Sequence, residues 1–478
     1  LNSNSDKDRY SITQQVFAKL NSTYYIIDNK TFNIVENSKN IQRVIPFMND
    51  KGKRCYERLA GRQEPCMNCP AERLITMNTD IIKVITGIRR SGKSTILKFI
   101  IEELKKEGID ESNIIYINFE SMKYNEIEEK QQLDELIIKK TKDLEGKIYF
   151  LFDEIQNINS WEKCVNSYLV DFDSDIYITG SNAKLLSGEL ATHIAGRYVE
   201  IKIYPFSFKE VLKIKEKRNN LNLNPKDKKE ELLLKLEEEE IFKEYIEYGG
   251  MPAIFKINGK EERKEYLNNI LNTIIIKDIM KRNNVRNVDL LERILKYICE
   301  NIGNPFSAKS VCDHFKHENR KVYPESVSNY LNYFKDANLI HEVKREDLKG
   351  KKILSIYEKY YLVDHGFREV IFGNNLKSKS KILENIVYME LLRRDYNVRI
   401  GKLNGYEIDF VATKGSDKIY IQVTCTLLND KTEIREFRPL LKIKNNYPKY
   451  IISTDKTDFS KEGIIHKNII DFLKEDDF

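Results

Sequence analysis

Nine consecutive residues, Gly87-Ile88-Arg89-Arg90-Ser91-Gly92-Lys93-Ser94-Thr95, carry the most definite chemistry in the chain. Glycines at this spacing, closed by a Lys-Ser pair, suit a polyphosphate. Gly87 and Gly92 let backbone N–H groups converge on an anion, and the helix expected from Ile96 to Lys106 turns the positive end of its dipole to the same point. Lys93 has the reach for β- and γ-phosphates and Ser94 has the hydroxyl for Mg²⁺, with Thr95 as the alternative metal ligand. Arg90 and Ser91 join Gly87, Gly92, Lys93, Ser94 and Thr95 as the expected contacts to ATP.

Holding a phosphate is not yet catalysis. The apolar run Ile148-Tyr149-Phe150-Leu151-Phe152 ends in Asp153-Glu154, and a short continuous apolar run reads as a buried parallel strand whose carboxyl end faces the ligand. Asp153 is placed to serve the Mg²⁺ and Glu154 to orient or deprotonate the attacking water. Two more strands are expected, at Asn113–Asn118 and at Asp175–Asn182. The first lies in sequence between the phosphate loop and the acids, which resembles the large group of ATPases that use a glutamate base. In that arrangement the strand ending Thr179-Gly180-Ser181-Asn182 neighbours the acidic strand, and Ser181 or Asn182 meets the γ-phosphate or the water. The same residues also read as a plain turn.

The full set of motifs resembles the bacterial and archaeal AAA-type ATPases that carry a restriction-endonuclease-like domain at the C-terminus. It comprises the phosphate loop, Phe152-Asp153-Glu154-Ile155-Gln156, Ser160-Trp161-Glu162, Thr179-Gly180-Ser181-Asn182, Gly196-Arg197-Tyr198, Pro205-Phe206-Ser207-Phe208, Tyr248-Gly249-Gly250-Met251-Pro252 and Glu407-Ile408-Asp409-Phe410-Val411. The resemblance implies an α/β protein: a parallel-sheet P-loop ATPase core, then a winged helix, then a restriction-endonuclease-like α/β domain. It also makes Arg197 a candidate arginine finger reaching a neighbouring subunit's γ-phosphate, and hence implies a homo-oligomer. An ordinary surface ion pair is the competing reading of Arg197.

The domain boundaries follow from composition and period. Residues 1–77 lie outside the ATPase pattern and resemble part of a PAS-type sensor domain. Cys55, Cys66 and Cys69 there are expected as free thiols or a redox-sensitive pair, since Zn²⁺ needs a fourth ligand that no nearby residue supplies. Residues 78–210 form the ATPase core and 211–287 a charged insertion and helical lid. In 288–362 three helical patterns, Leu290–Ile302, Ser307–His317 and Pro324–Ala337, precede two strand-like ones, the winged-helix order. Asn329, Asn332 and Lys335, with Lys344, Arg345, Lys349, Lys351 and Lys352 on the wing, are the DNA candidates, diluted by Glu342, Glu346, Asp347 and Glu358. In 379–478, Glu384 and Asp409 stand where nuclease acids would, but the next strand offers Gln422 and Thr424 in place of an acid and a lysine. A weak or inactive nuclease remnant is expected.

Eighty Lys and Arg against 74 Asp and Glu give a formal charge of +6, too small in 478 residues to indicate nucleic acid by itself. No apolar stretch approaches the roughly 18 residues of a membrane span, and the scattered cysteines suit a reducing compartment, so a cytoplasmic location is expected. The first residue is Leu1, not Met, which leaves the native start open. Two functions stay open: an ATP-hydrolysing protein acting on DNA, or a nucleotide-gated regulator of protein partners.

Overall fold

The computed structural model describes residues 25–27, 34–37, 81–181, 196–219, 228–318, 320–350, 352–373 and 375–476. Cys55, Cys66, Cys69, Asn182 and Lys351 therefore lie outside the described residues. The chain divides into two compact units, residues 1–54 with 102–110, and residues 55–101 with 111–478. The run Tyr24-Tyr25-Ile26-Ile27-Asp28 predicts an early strand, and in the first unit β1 (Tyr25–Ile27) pairs antiparallel with β2 (Ile34–Asn37).

The second unit contains two large sheets. The first is five-stranded and parallel throughout, in the order β4 (Ile114–Asn118), β5 (Ile148–Asp153), β6 (Ser174–Gly180), β3 (Ile82–Thr86), β7 (Tyr198–Lys202). Helix α1 (Lys93–Lys106) follows the phosphate loop, and α2 (Lys130–Thr141) and α3 (Trp161–Asp171) complete the core. The central strands β5, β6 and β3 are buried on both faces, while the edge strands β4 and β7 are only half-buried. Phe150, Phe152, Ile178, Trp161, Val165 and Tyr168 close that core. One charged pair is buried in it: Lys83 on β3 holds Asp175 on β6, which also accepts the Tyr177 hydroxyl at 3.0 Å.

The segment expected as a charged insertion and lid holds α4 (Phe208–Asn219), α5 (Lys228–Tyr248) and α6 (Lys260–Thr273). The sequence pattern predicts one helix over 260–285, but after α6 the chain widens into a π-helical segment, Ile274–Met280. Leu267, Ile270, Leu271, Ile274, Ile275 and Ile279 are buried along it, as their spacing required. The charge run on α5 is largely a solvated face, with one exception: Glu238 is buried and paired with Lys474 at 2.6 Å. At the end of α5, Gly249 has φ +75°, and a Cβ there would fall 1.9 Å from the Asp364 carboxylate. Asp364 accepts the N–H groups of Gly250 and Gly366, both at 2.8 Å, and a Cβ on Gly250 would meet the Phe206 carbonyl at 2.2 Å, which explains the second glycine of the pair.

Three helices, α7 (Val288–Glu300), α8 (Ala308–His317) and α9 (Pro324–Asp336), lead into the hairpin β8 (Ile340–Asp347) and β9 (Lys352–Leu362). The hairpin does not stand alone. Strand β8 pairs in parallel with β10 (Asn397–Leu403), so it extends a seven-stranded sheet ordered β14-β13-β12-β11-β10-β8-β9. The other strands are β11 (Tyr406–Lys414), β12 (Asp417–Val423), β13 (Lys449–Ser453) and β14 (Ile465–Asn468). Helices α10 (Gly366–Phe372) and α11 (Lys379–Arg393) precede β10, α12 (Asp430–Leu441) follows β12, and α13 (Ile469–Lys474) ends the chain. Residues 379–478 read in sequence as helix, three strands, helix and strand, so the last strand and helix are additions to that pattern. Among the described residues no helix is long and apolar enough to cross a membrane, and Cys164, Cys299, Cys312 and Cys425 are free thiols.

Burial sets a pH limit on this unit. It pushes His341 and His365 down to about 4, with Lys202 adding to the effect at His341. A base whose folded pKa is depressed stabilises the fold above its ordinary value of about 6.5, and that stability is lost as pH falls toward 4. Each histidine should cost of the order of 2 kcal/mol at pH 5 relative to pH 7. Asp364 opposes them in part, because burial raises it to about 6 and protonation then favours the fold. Urea denaturation at pH 7 and pH 5 should give a clear net loss of stability at pH 5; equal stabilities would contradict neutral buried histidines.

Candidate active site

The phosphate loop begins where β3 must turn sharply into α1. Gly87 has φ +146°, and a Cβ there would meet the Ile203 carbonyl at 2.2 Å, so only glycine fits. Gly92 has φ +110°, and Arg90 also takes a left-handed conformation, φ 64°, stacking its guanidinium on Tyr266 of α6. Lys93 turns back into the loop and donates to the carbonyls of Gly87 (3.0 Å) and Ile88 (3.2 Å), with Glu154 at 3.8 Å. Burial pushes its ammonium below the usual value, a cost that further anionic charge would relieve. The buried Ser91 hydroxyl has no hydrogen-bond partner. A cradle of this shape, with an orphaned hydroxyl and a desolvated ammonium, fits a polyphosphate. Thr95 donates its N–H to Gly92 in the first turn of α1.

Asp153 ends β5 and collects four donors. Ser94 Oγ (3.0 Å) and Thr179 Oγ1 (2.6 Å) reach one oxygen, while Tyr116 OH (3.0 Å) and Asn118 Nδ2 (2.8 Å) reach the other. The expected metal pair, Ser94 and Asp153, is thus assembled, and a hard cation needs few protein ligands when phosphate and water oxygens supply the rest. Glu154 sits at φ 57°, a strained left-handed conformation for a glutamate, with its N–H held by Thr179 Oγ1 at 3.0 Å and its carboxylate accepting from Gln156. Strain maintained beside a phosphate loop marks a residue whose orientation matters more than its comfort.

Strand β6 brings Thr179 to both acids, a contact the sequence did not single out; the register pairing Phe152 with Ile178 is what sets it there. Ser181 is buried, but its hydroxyl donates to Asp278 of the π-helical segment at 3.2 Å. Asp278 also takes Arg89 at 2.8 and 3.3 Å, and Arg89 reaches Glu120 at 2.9 Å. Arg197 is exposed, donates to Asn166 at 2.9 Å, and lies at the opposite end of the sheet: its carbonyl accepts the N–H of Ile82, where β3 starts. The length of β3 separates it from its own phosphate loop, about 16 Å at the strand rise.

Residues 79–212 match an AAA domain family, and residues 239–378 match a domain of unknown function, DUF8612. An uncharacterized protein of Haemophilus influenzae is 40% identical over 400 residues, spanning 83% of this chain and 95% of that protein. The chain belongs to the AAA domain family. A second relative of this AAA protein, an uncharacterized protein of Methanocaldococcus jannaschii, is 36% identical over 366 residues, 75% of this chain and 77% of that one. A Walker-type ATPase of Pyrococcus abyssi aligns over 68% of this chain and 98% of its own at 16% identity and a TM-score of 0.46. The assignment rests on the family match and the sequence relatives.

The AAA protein has a second charged cluster, on the seven-stranded sheet. Glu384 of α11 and Asp409 of β11 do come together there, but with a lysine that sequence reasoning missed. Lys359 of β9 is 2% exposed and binds Glu384 at 3.1 Å and Glu407 at 2.8 Å, while the Tyr361 hydroxyl donates to Glu384 at 2.6 Å. Burial opposes its charge, yet Glu384, Asp409 and Glu407 together raise the Lys359 pKa. Asp409 is raised well above the usual carboxylate range by burial and by Glu384, although it accepts the Val423 N–H at 2.9 Å. Gln422 accepts the Asp409 N–H at 2.7 Å and donates to Glu436 of α12 at 2.9 Å, a two-sided role that an amide fills and a carboxylate cannot. Lys442 lies on the Tyr406 ring at 4.7 Å. The one visible signal for Lys359 was the charged pair Glu358-Lys359 between Tyr357 and Tyr360 in an otherwise strand-like run.

Proposed function

We propose that this AAA protein binds and hydrolyses ATP with Mg²⁺, a reading carried by the Ser94–Asp153 pair set beside buried Lys93 and strained Glu154. Gly87, Arg90, Ser91, Gly92, Lys93 and Thr95 line the cradle for the triphosphate. Ser94 and Asp153 would hold Mg²⁺, which when bound would neutralise charge on the phosphate oxygens. Lys93 holds the terminal phosphates, Asp153 keeps the Ser94 hydroxyl oriented, and Glu154 orients the attacking water and accepts its proton. Thr179 keeps both acids in register.

The three helices and hairpin of residues 288–362 are read as a winged helix and the C-terminal sheet as a nuclease-like domain, both acting on DNA under control of the ATP cycle. Exposed Asn329 and Asn332 on α9 and Lys344 on β8 support the DNA reading. The regulator of protein partners is favoured by a different fact: Lys335 is already paired with Glu342, and Arg293 and Arg320 with Asp289, which spends much of the local positive charge. ATP turnover measured with and without duplex DNA at two salt concentrations separates them. DNA action predicts stimulation that weakens steeply with salt as counterions are released; the regulator predicts none.

Arg197 is proposed to act in trans, in a homo-oligomer. Arg197→Ala protein should be inactive alone and regain turnover when excess Lys93→Ala subunits are added, since these donate an intact Arg197. Mixed assembly without rescue would leave Arg197 a structural residue.

A further inference from the structure

Asp278 sits in the π-helical segment Ile274–Met280 with 2% of its surface exposed. A π turn widens a helix by a residue and re-aims the side chains that follow, and such turns recur at functional sites. Its carboxylate gathers groups from separate parts of the protein: Arg89 from the phosphate loop, Ser181 from the end of β6, and Arg282 from its own helix at 3.6 Å. The chain of contacts continues. The Ser181 carbonyl accepts the Asn338 side-chain amide at 3.4 Å, and Asn338, at φ 53°, is the link between α9 and β8.

We propose that Asp278 is a positioning residue for ATP hydrolysis, holding Arg89 and Ser181 at the phosphate end of the site and tying turnover to the three-helix module through Asn338. The proposal rests on the ATPase reading above. A planar guanidinium held by a buried carboxylate through two N–H groups has its direction set, which a single pair to a half-exposed acid does not do. Glu120, the other partner of Arg89, is 41% exposed. With Asp278 neutral, Arg89 is left to Glu120 and loses its aim. Both Arg89 and Asp278 also bear electrostatically on Lys93, so the arrangement reaches the principal phosphate ligand as well.

The test is steady-state ATPase kinetics on the full chain, each rate divided by the active-site concentration from nucleotide titration, with Glu154→Gln as control. Asp278→Asn keeps the shape and still accepts from Ser181, but offers Arg89 no charge. It should lower kcat about tenfold while the KM for ATP stays within about threefold, and Asp278→Glu should recover part of the loss. Arg89→Ala combined with Asp278→Asn should be no slower than Arg89→Ala alone, because the two act as a unit. A merely structural Asp278 would reduce the number of active sites and leave the rate per site unchanged. Hydrogen exchange gives the second readout: ATP should alter amide exchange over residues 338–347 in the wild type and not in Asp278→Asn. Additive losses, a per-site kcat within about twofold of wild type, or the same exchange response in both proteins would overturn the inference. Wild-type protein with no turnover that Glu154→Gln can abolish would sink the ATPase reading, and the inference with it.

Discussion

Glu154→Gln protein is expected to bind ATP like the wild type and to hydrolyse it at least about a hundredfold more slowly. The amide preserves the volume and the hydrogen bond from Gln156, so the loop and Asp153 keep their places while the group that takes the proton from water is lost. Lys93→Ala should fail earlier, at binding. Its ammonium is the buried cation of the loop, and without it the triphosphate meets backbone donors and hydroxyls but no buried positive charge. Equilibrium binding of a fluorescent ATP analogue, followed by single-turnover hydrolysis, separates the two. Full turnover by Glu154→Gln would remove Glu154 from the chemistry.

The second large effect is expected at Lys359. Replacing it with Met keeps most of the stem volume but leaves the part-buried Glu384 and Glu407, and Asp409 near them, without their cation. Removing one partner of a buried ion pair costs about 3–5 kcal/mol, far more than the net worth of the pair, because the remaining charge is stranded. Urea denaturation of Lys359→Met should show that loss, and Lys359→Met with Glu384→Gln should recover part of it. A change below about 1 kcal/mol would mean water reaches the cluster freely. The same ammonium bears on the nuclease reading. Among the described residues no cluster of three acidic, histidine or cysteine side chains is suited to hold a metal ion, and Lys359 stands among the acids. No cleavage of single- or double-stranded DNA is expected in Mg²⁺ or Mn²⁺. Cleavage lost in Asp409→Ala but kept in Lys93→Ala would reverse that reading.

Much of the nucleotide site was legible in the chain because its requirements are local. A strand that must turn at once into a helix around an anion needs Gly87 and Gly92 at fixed offsets, and Lys93 and Ser94 follow in the first helical turn. An apolar run ending in Asp153-Glu154 likewise announces a buried strand with its acids at the open end. The helix–helix–helix–hairpin order of residues 288–362 was legible for the same reason, since period and turn residues act over a few positions.

Tertiary structure alone decided the partners. Thr179, rather than a residue at the strand tip, meets Asp153 because parallel register between β5 and β6 aligns it there. Asp278 reaches Arg89 across 189 positions of sequence, after a π turn that no apolar spacing announces. Lys359 reaches Glu384 and Glu407 because β8 pairs with β10 and joins the hairpin to the C-terminal sheet. In each case a charge or hydroxyl is fixed by long-range burial, whose cost must be met by whatever opposite group the fold brings within reach, and periodicity along the chain carries no record of that meeting.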